Sequence, residues 1–307
     1  MEEEISNQAQ DLLRFASQLR KTHVPKLKPS KLIFSGSGDS YAAAVFAQEL
    51  SEGQAIAFDP YELLTNIKRI RGKSLVIISV SGRTRTNIEL ARKSKGMATN
   101  TLAITANPES PLAGECDETL QLKYRTTGIL TSGTISFTTS LLACAFLLES
   151  LPRTVQVTTA LTDTYNLATN LKQDPQGSFL FTGSGVNYGL SLYGAAKINE
   201  VLGTKAEAIC PEQLGHAKLF TIDKKRDAIV CISSGRDKAM KTHQLLLDNG
   251  FQSSILAVPE SNVVNRSLRI TVYLQGLALS LARRKRIKEC AFLTDKERLK
   301  LSNRMIY

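Results

Sequence analysis

The sequence predicts an α/β protein made of two tandem copies of one domain, each a parallel sheet between layers of helices. Three observations carry that reading. Short, continuously apolar runs alternate with longer helical patterns, as in βαβ units whose sheet is buried on both faces. The first two runs of each series end in turns rich in serine and glycine, and the third stops just before a Pro-Glu-Ser turn. The whole series then occurs a second time, and 307 residues leave room for two domains at ~150 residues each.

The repeat is read directly from the residues. Phe34-Ser35-Gly36-Ser37-Gly38-Asp39-Ser40-Tyr41 returns 147 residues later as Phe181-Thr182-Gly183-Ser184-Gly185-Val186-Asn187-Tyr188. Val76-Ile77-Ile78-Ser79-Val80-Ser81-Gly82-Arg83 is echoed 153 residues on by Ile229-Val230-Cys231-Ile232-Ser233-Ser234-Gly235-Arg236. Pro108-Glu109-Ser110 matches Pro259-Glu260-Ser261 at an offset of 151. Three matches in one order at similar offsets indicate a duplication.

In chain order, an amphipathic leader (Ile5–Leu19, within residues 1–24) precedes the first copy, residues 25–152. That copy has strand runs at Leu32–Phe34, Leu75–Val80 and Thr101–Thr105. Thr154–Lys172 reads as a helical connector within a linker at 153–175, closed by Asp174-Pro175-Gln176-Gly177. The second copy, 176–290, has strand runs at Phe179–Phe181, Ala228–Ile232 and Ser254–Val258, then a helix around Val272–Leu281. A tail occupies 291–307. In such folds ligands sit at the carboxyl ends of the strands, where the Ser/Gly turns fall.

Composition narrows the chemistry. Lys and Arg total 39 against 28 acids, a net charge of +11, which suits an anionic partner. The run Arg283-Arg284-Lys285-Arg286-Ile287-Lys288 has no interleaved aromatics and sits at the end of a predicted helix, where the dipole favours cations. No nucleic-acid motif accompanies it, and no nucleic-acid partner is expected. No apolar run nears the ~18 residues of a membrane span, and the acidic start Met1-Glu2-Glu3-Glu4 carries no secretory signal, so a cytoplasmic protein without a membrane partner is expected. The five cysteines form no C-x-x-C pair, and the three histidines (His23, His216 and His243) show no i, i+4 pairing. Free thiols and no metal site are expected, and no cofactor is indicated.

Ser79-Val80-Ser81-Gly82-Arg83-Thr84 follows a strand and opens a helix, where free N–H groups and the positive end of the dipole face the turn. The hydroxyls of Ser79, Ser81 and Thr84 add donors that can wrap a phosphate. No Walker loop occurs, and the two G-x-G turns carry Tyr where a dinucleotide fingerprint needs Gly or Ala. In the second copy Asp237 replaces Thr84, and a carboxylate there repels a phosphate.

These residues resemble the sugar isomerase (SIS) domain family, whose members bind phosphosugars on a flavodoxin-like sheet in a three-layer αβα sandwich. The doubled arrangement resembles the isomerase half of glucosamine-6-phosphate synthase. The resemblance covers about residues 30–300 and is sharpest at Gly194-Ala195-Ala196-Lys197-Ile198-Asn199-Glu200, Ala206-Glu207-Ala208 and Glu212-Gln213-Leu214-Gly215-His216. It implies that Ser79, Ser81, Gly82 and Thr84 bind phosphate. Gly38 and Ser40 of the first turn would contact the sugar, with Asp39 standing where the synthase has threonine. Gly128–Thr139, with Ser132 and Thr134, is similar to the family's second substrate loop. Glu200 matches the carboxylate that moves a proton between C1 and C2. Lys197 matches an active-site lysine, and His216 a ring-opening histidine shared across a homodimer. Independently, Tyr193, Lys197 and Glu200 at i, i+4 and i+7 fall on one helix face.

Two departures matter. The chain begins Met1-Glu2 with no glutaminase domain ahead of the first copy, so glutamine hydrolysis is not expected. An ungapped match of Asp295-Lys296-Glu297-Arg298 puts Ser302 where the synthase tail has its lysine; Lys300 lies two residues away. The expectation is therefore a hexose or hexosamine 6-phosphate enzyme, an aldose–ketose isomerase or an aminosugar-phosphate deaminase. The alternative is a non-catalytic phosphosugar-binding regulator.

Overall fold

The computed structural model describes residues 1–24, 27–129, 131–155 and 175–307. The chain divides into two compact units. A first-half unit holds Asn7–Thr127, Gly133–Val155 and Glu297–Tyr307; a second-half unit holds Met1–Ser6, Gly128–Ser132 and Gln156–Lys296. The helical connector expected over Thr154–Lys172 falls almost wholly outside the described residues.

The first-half unit contains a parallel five-stranded sheet of β1 (Leu32–Gly36), β2 (Ile56–Phe58), β3 (Ser74–Ile78), β4 (Asn100–Thr105) and β5 (Glu118–Gln121), in the order β2-β1-β3-β4-β5. All five residues of β1 and of β3 are buried, as a sheet covered on both faces requires. One face packs Ile33, Leu75, Ile77 and Ala103 against Leu63, Leu90 and Leu112. Those three come from the helices α3 (Pro60–Thr65), α4 (Arg85–Ser94) and α5 (Pro111–Glu115). The unit also holds α2 (Asp39–Leu50), α6 (Ile135–Leu147) and most of the leader helix α1 (Glu2–Leu19). Leu12, Phe15, Ala16 and Leu19 form the buried stripe of α1, and its Gln8 accepts a 2.7 Å bond from the Thr138 hydroxyl on α6.

The second-half unit has a parallel four-stranded sheet of β6 (Phe179–Thr182), β7 (Ala206–Ile209), β8 (Ala228–Ser233) and β9 (Ser253–Ala257), ordered β7-β6-β8-β9. This is the order of the first four strands of the other sheet. Its helices are α7 (Val186–Leu202), α8 (Pro211–His216), α9 (Lys238–Asp248), α10 (Val263–Arg284) and the short α11 (Ala291–Thr294). The chain ends in α12 (Lys296–Ile306). All six expected strands form, within one or two residues of their expected bounds. Three more form where no strand was expected: β2, β5 and β7. Each lies at a sheet edge, pairs on one side only, and carries exposed or half-buried positions in place of an apolar run. Arg283 and Arg284 fall in the last turn of α10, as expected of the basic run. No described helix is long and apolar enough to cross a membrane. All five cysteines are free.

In a sheet with this strand order the topological switch point lies between the first and third strands, and the crevice at their carboxyl ends is where such folds take ligands. In the first-half unit the turns after β1 and β3 flank it. In the second-half unit the turns after β6 and β8 do.

Candidate active site

The first turn of each half is built on glycine for a steric reason. A Cβ at Gly36 would stand 2.7 Å from Ser40 Cβ and 2.9 Å from the Ile78 carbonyl oxygen. At Gly183 it would stand 2.8 Å from Asn187 Cβ. Two residues on, Gly38 and Gly185 cap α2 and α7 with φ 58°, ψ −127° and φ 59°, ψ −137°, a region open only to glycine. Ser40 is buried just inside α2, in the turn after β1.

The candidate phosphate turn follows β3. Gly82 has φ +63°, and a Cβ there would overlap the Ser110 side chain at 2.0 Å. Its N–H donates to the Ser79 carbonyl at 3.0 Å, and its own carbonyl accepts from Leu112 N–H at 3.1 Å. The loop is thus locked before α4 begins. Thr84 is the N-cap residue, yet its hydroxyl makes no capping bond. Ser79 is buried, Thr84 half-buried and Ser81 exposed, its Oγ accepting from Arg83 N–H at 3.3 Å. The structure therefore brings Ser79, Ser81, Gly82 and Thr84 together on one turn, with the α4 N-terminus behind them.

The second-half unit holds the other constellation. Gly194 lets α7 lie close on its neighbours, since a Cβ there would meet the Phe181 ring at 3.0 Å and Leu274 at 3.1 Å. Gly203 stops the helix in the left-handed conformation, and Asn199 staples that end to β7 with two bonds to Ala206, at 2.8 and 3.0 Å. Between these fixed points stand Tyr193, Lys197 and Glu200. Lys197 is 0 % exposed, and its Nζ lies 2.6 Å from Glu200 Oε2, 2.7 Å from Ser132 Oγ and 5.0 Å above the Tyr193 ring. The Ser132 hydroxyl in turn donates to the same Oε2 at 2.6 Å. Gln275 donates to the Tyr193 hydroxyl at 2.9 Å, anchoring the ring beneath the ammonium.

A buried ammonium is costly unless paired and hydrogen-bonded, and here a carboxylate, a hydroxyl and an aromatic face supply the partners. Glu200 differs in that its side chain is 38 % exposed. Both of its contacts fall on Oε2, so Oε1 is uncommitted among the described residues. The arrangement presents one oxygen of an oriented carboxylate beside a cation that cannot move away. Lys197 and Glu200 share a face as their spacing predicts. The tie to Ser132, which lies 65 residues before Lys197, carries no sequence signal.

The remaining candidates lie elsewhere. His216 ends α8 with its side chain 71 % exposed, 3.5 Å from Glu212 Oε1, and contacts neither Lys197 nor Glu200. Thr134 is buried as the N-cap residue of α6, in the first-half unit, whereas Ser132 belongs to the second-half unit. Lys300 and Ser302 are exposed on α12, and the Tyr307 carbonyl beyond them accepts from Arg85 Nε at 3.1 Å, next to the phosphate turn.

Two parallel sheets, each flanked by helices and with glycine turns at its switch point, define an α/β protein. Residues 27–150 match the family model described as the SIS domain. No curated protein matches the sequence. Among solved structures the chain is similar to glucosamine-6-phosphate deaminase from Thermotoga maritima, with 21% identity over 92% of this chain and 94% of that one and a TM-score of 0.73. It is also similar to the C-terminal domain of glucosamine-fructose-6-phosphate aminotransferase from Francisella tularensis (20% identity, 91% and 94% covered, TM-score 0.71). A third likeness is to tagatose-6-phosphate ketose/aldose isomerase from Escherichia coli (19% identity, 92% of each chain, TM-score 0.71). At these identities the likeness is one of fold.

Proposed function

We propose that the protein is an enzyme of two tandem SIS domains that acts on a hexose or hexosamine 6-phosphate by moving a proton between C1 and C2. Ser79, Ser81, Gly82 and Thr84 hold the phosphate, with Gly38, Ser40 and Thr134 contacting the sugar. Glu200 takes the proton from one carbon and returns it to the next. Lys197 steadies the negative charge that develops on the enediolate, and Ser132 keeps Glu200 Oε2 tied so that Oε1 faces the substrate. His216, supplied by a second copy of the chain, helps open the ring.

The observation that carries this reading is the Lys197–Ser132–Glu200 triangle. A surface ion pair has both partners in water and is worth little. Here the cation is fully buried and the carboxylate is half open, the geometry expected of a positioned general base beside an electrostatic stabiliser. Isomerisation and deamination share this proton transfer, and the triangle serves both. The SIS match over residues 27–150, which includes the phosphate turn, supports phosphosugar recognition.

A second reading, a regulator that binds phosphosugars without turnover, is favoured by Ser302, which stands where the resemblance places a tail lysine. One experiment separates the two. The full chain is screened by thermal shift with fructose, glucose, mannose and glucosamine 6-phosphates, and each hit is assayed for sugar interconversion and ammonia release. The enzyme reading predicts a stabilising sugar phosphate that is also turned over. Stabilisation without turnover establishes the regulator, and no stabilisation by any of the four overturns both.

A further inference from the structure

The second copy of the phosphate turn is occupied by the protein itself. Asp237, at the position of Thr84, is the N-cap residue of α9. Its Oδ2 accepts the Ser234 N–H at 2.7 Å, and its Oδ1 accepts the Met240 N–H at 3.0 Å and lies 2.8 Å from the Ser233 hydroxyl. An anion seated on a strand–turn–helix junction uses the same groups: turn N–H, serine hydroxyl and first-turn helix N–H. The carboxylate has taken that seat.

A second side chain closes the crevice from the opposite wall. Asn187, at the position of Ser40, donates from Nδ2 to Ser234 Oγ at 2.9 Å and to the Ile232 carbonyl at 3.3 Å. It thereby spans the turns after β6 and β8, across the switch point of its sheet. At the third position Ile232 replaces Ser79 and offers no hydroxyl. The first-half turn is the reverse case. Ser40, Ser79 and Thr84 make no side-chain hydrogen bond among the described residues, and Ser81 accepts only from Arg83 N–H.

We infer that the second-half switch point is a closed joint in which the Asp237 carboxylate serves as a built-in anion. Each chain therefore takes a single phosphate, in its first half. That the first-half turn binds rests on the proposed function; the closure by Asp237 and Asn187 does not.

Equilibrium dialysis of the full chain against labelled inorganic phosphate tests both parts. The wild type is expected to bind one phosphate per chain, and the Ser81→Ala/Thr84→Val double variant none. Asp237→Thr/Asn187→Ser is expected to bind two, the new site weaker for want of a hydroxyl at Ile232. Asp237→Asn, which keeps a capping side chain and removes the charge, guards against loss of fold and is expected to gain the same site at lower affinity. Cooperative thermal melting checks that each variant is folded. Failure of both Asp237 variants to gain phosphate overturns the inference, as does a wild type that binds two. A wild type that binds no phosphate, or a Ser81→Ala/Thr84→Val variant that still binds one, with gain in the Asp237 variants, overturns only the assignment of the first turn.

Discussion

The two switch points share a backbone and differ in what fills them. Gly38 and Gly185 cap their helices within 10° of one another in φ and ψ, and Gly36 and Gly183 each lie under the residue four places on. Yet in the first crevice the hydroxyls of Ser40, Ser79 and Thr84 make no hydrogen bond among the described residues, whereas the second is bridged by Asn187 and Asp237. What strand–turn–helix geometry demands is present in both halves. The hydroxyls that the proposed phosphate site calls on are present in one. The half with the closed crevice is also the half that carries Lys197 and Glu200, so anion recognition and proton transfer are assigned to different copies.

The largest way to break this comparison is steric. Gly36→Ala and Gly183→Ala should each cost about 2–3 kcal/mol or more, because the new methyl meets Cβ and backbone atoms under 3.0 Å away. Chemical denaturation should show similar losses for the two, and a loss in one half alone would break the equivalence of the turns. Next come the caps, where matching positions should give opposite phenotypes. Asp237→Ala removes the capping bonds of α9 and should cost about 1 kcal/mol with phosphosugar affinity unchanged. Thr84→Ala removes no cap bond and should leave stability within about 0.5 kcal/mol while weakening phosphosugar binding roughly tenfold. Calorimetry and melting on the same two variants check the inversion.

Ser132→Ala should lower kcat with little change in KM, since it frees Glu200 Oε2 without touching the phosphate turn. The smallest effect is a pH slope confined to the second half. His243, 2.9 Å from Ser253 Oγ, has its pKa lowered by burial from the ordinary 6.5. The unfolded chain therefore binds a proton first as pH falls. His243 contributes its full stability above pH 6.5, and that contribution is lost as pH drops through 6.5 toward the lower folded value. His243→Gln should flatten this acid slope, read as Tm against pH.

Much of this plan was legible in the residues. The buried strands announce themselves because a parallel sheet covered on both faces needs unbroken apolar runs, as Leu75–Ile78 and Ala228–Ile232 supply. Steric demand makes the glycine turns equally visible. The edge strands β2, β5 and β7 were not legible, since a strand paired on one side and half open to water has no such run. Asp237 could be read as hostile to phosphate, but its three bonds depend on how the turn folds back on the helix. The Lys197–Glu200 face followed from helical spacing. Ser132 was named only through the resemblance, and its tie to that pair was not legible, because a contact spanning 65 residues is a product of the tertiary fold.

The central claim is that Glu200 moves a substrate proton that the phosphate turn does not touch. Exchange of the C2 proton of a bound 6-phosphosugar for solvent deuterium, followed by NMR in the wild type and in Glu200→Gln, tests it most directly. The account predicts that exchange falls about 10²- to 10⁴-fold in the variant while the dissociation constant of the sugar phosphate is unchanged. Exchange at the wild-type rate in Glu200→Gln would contradict it.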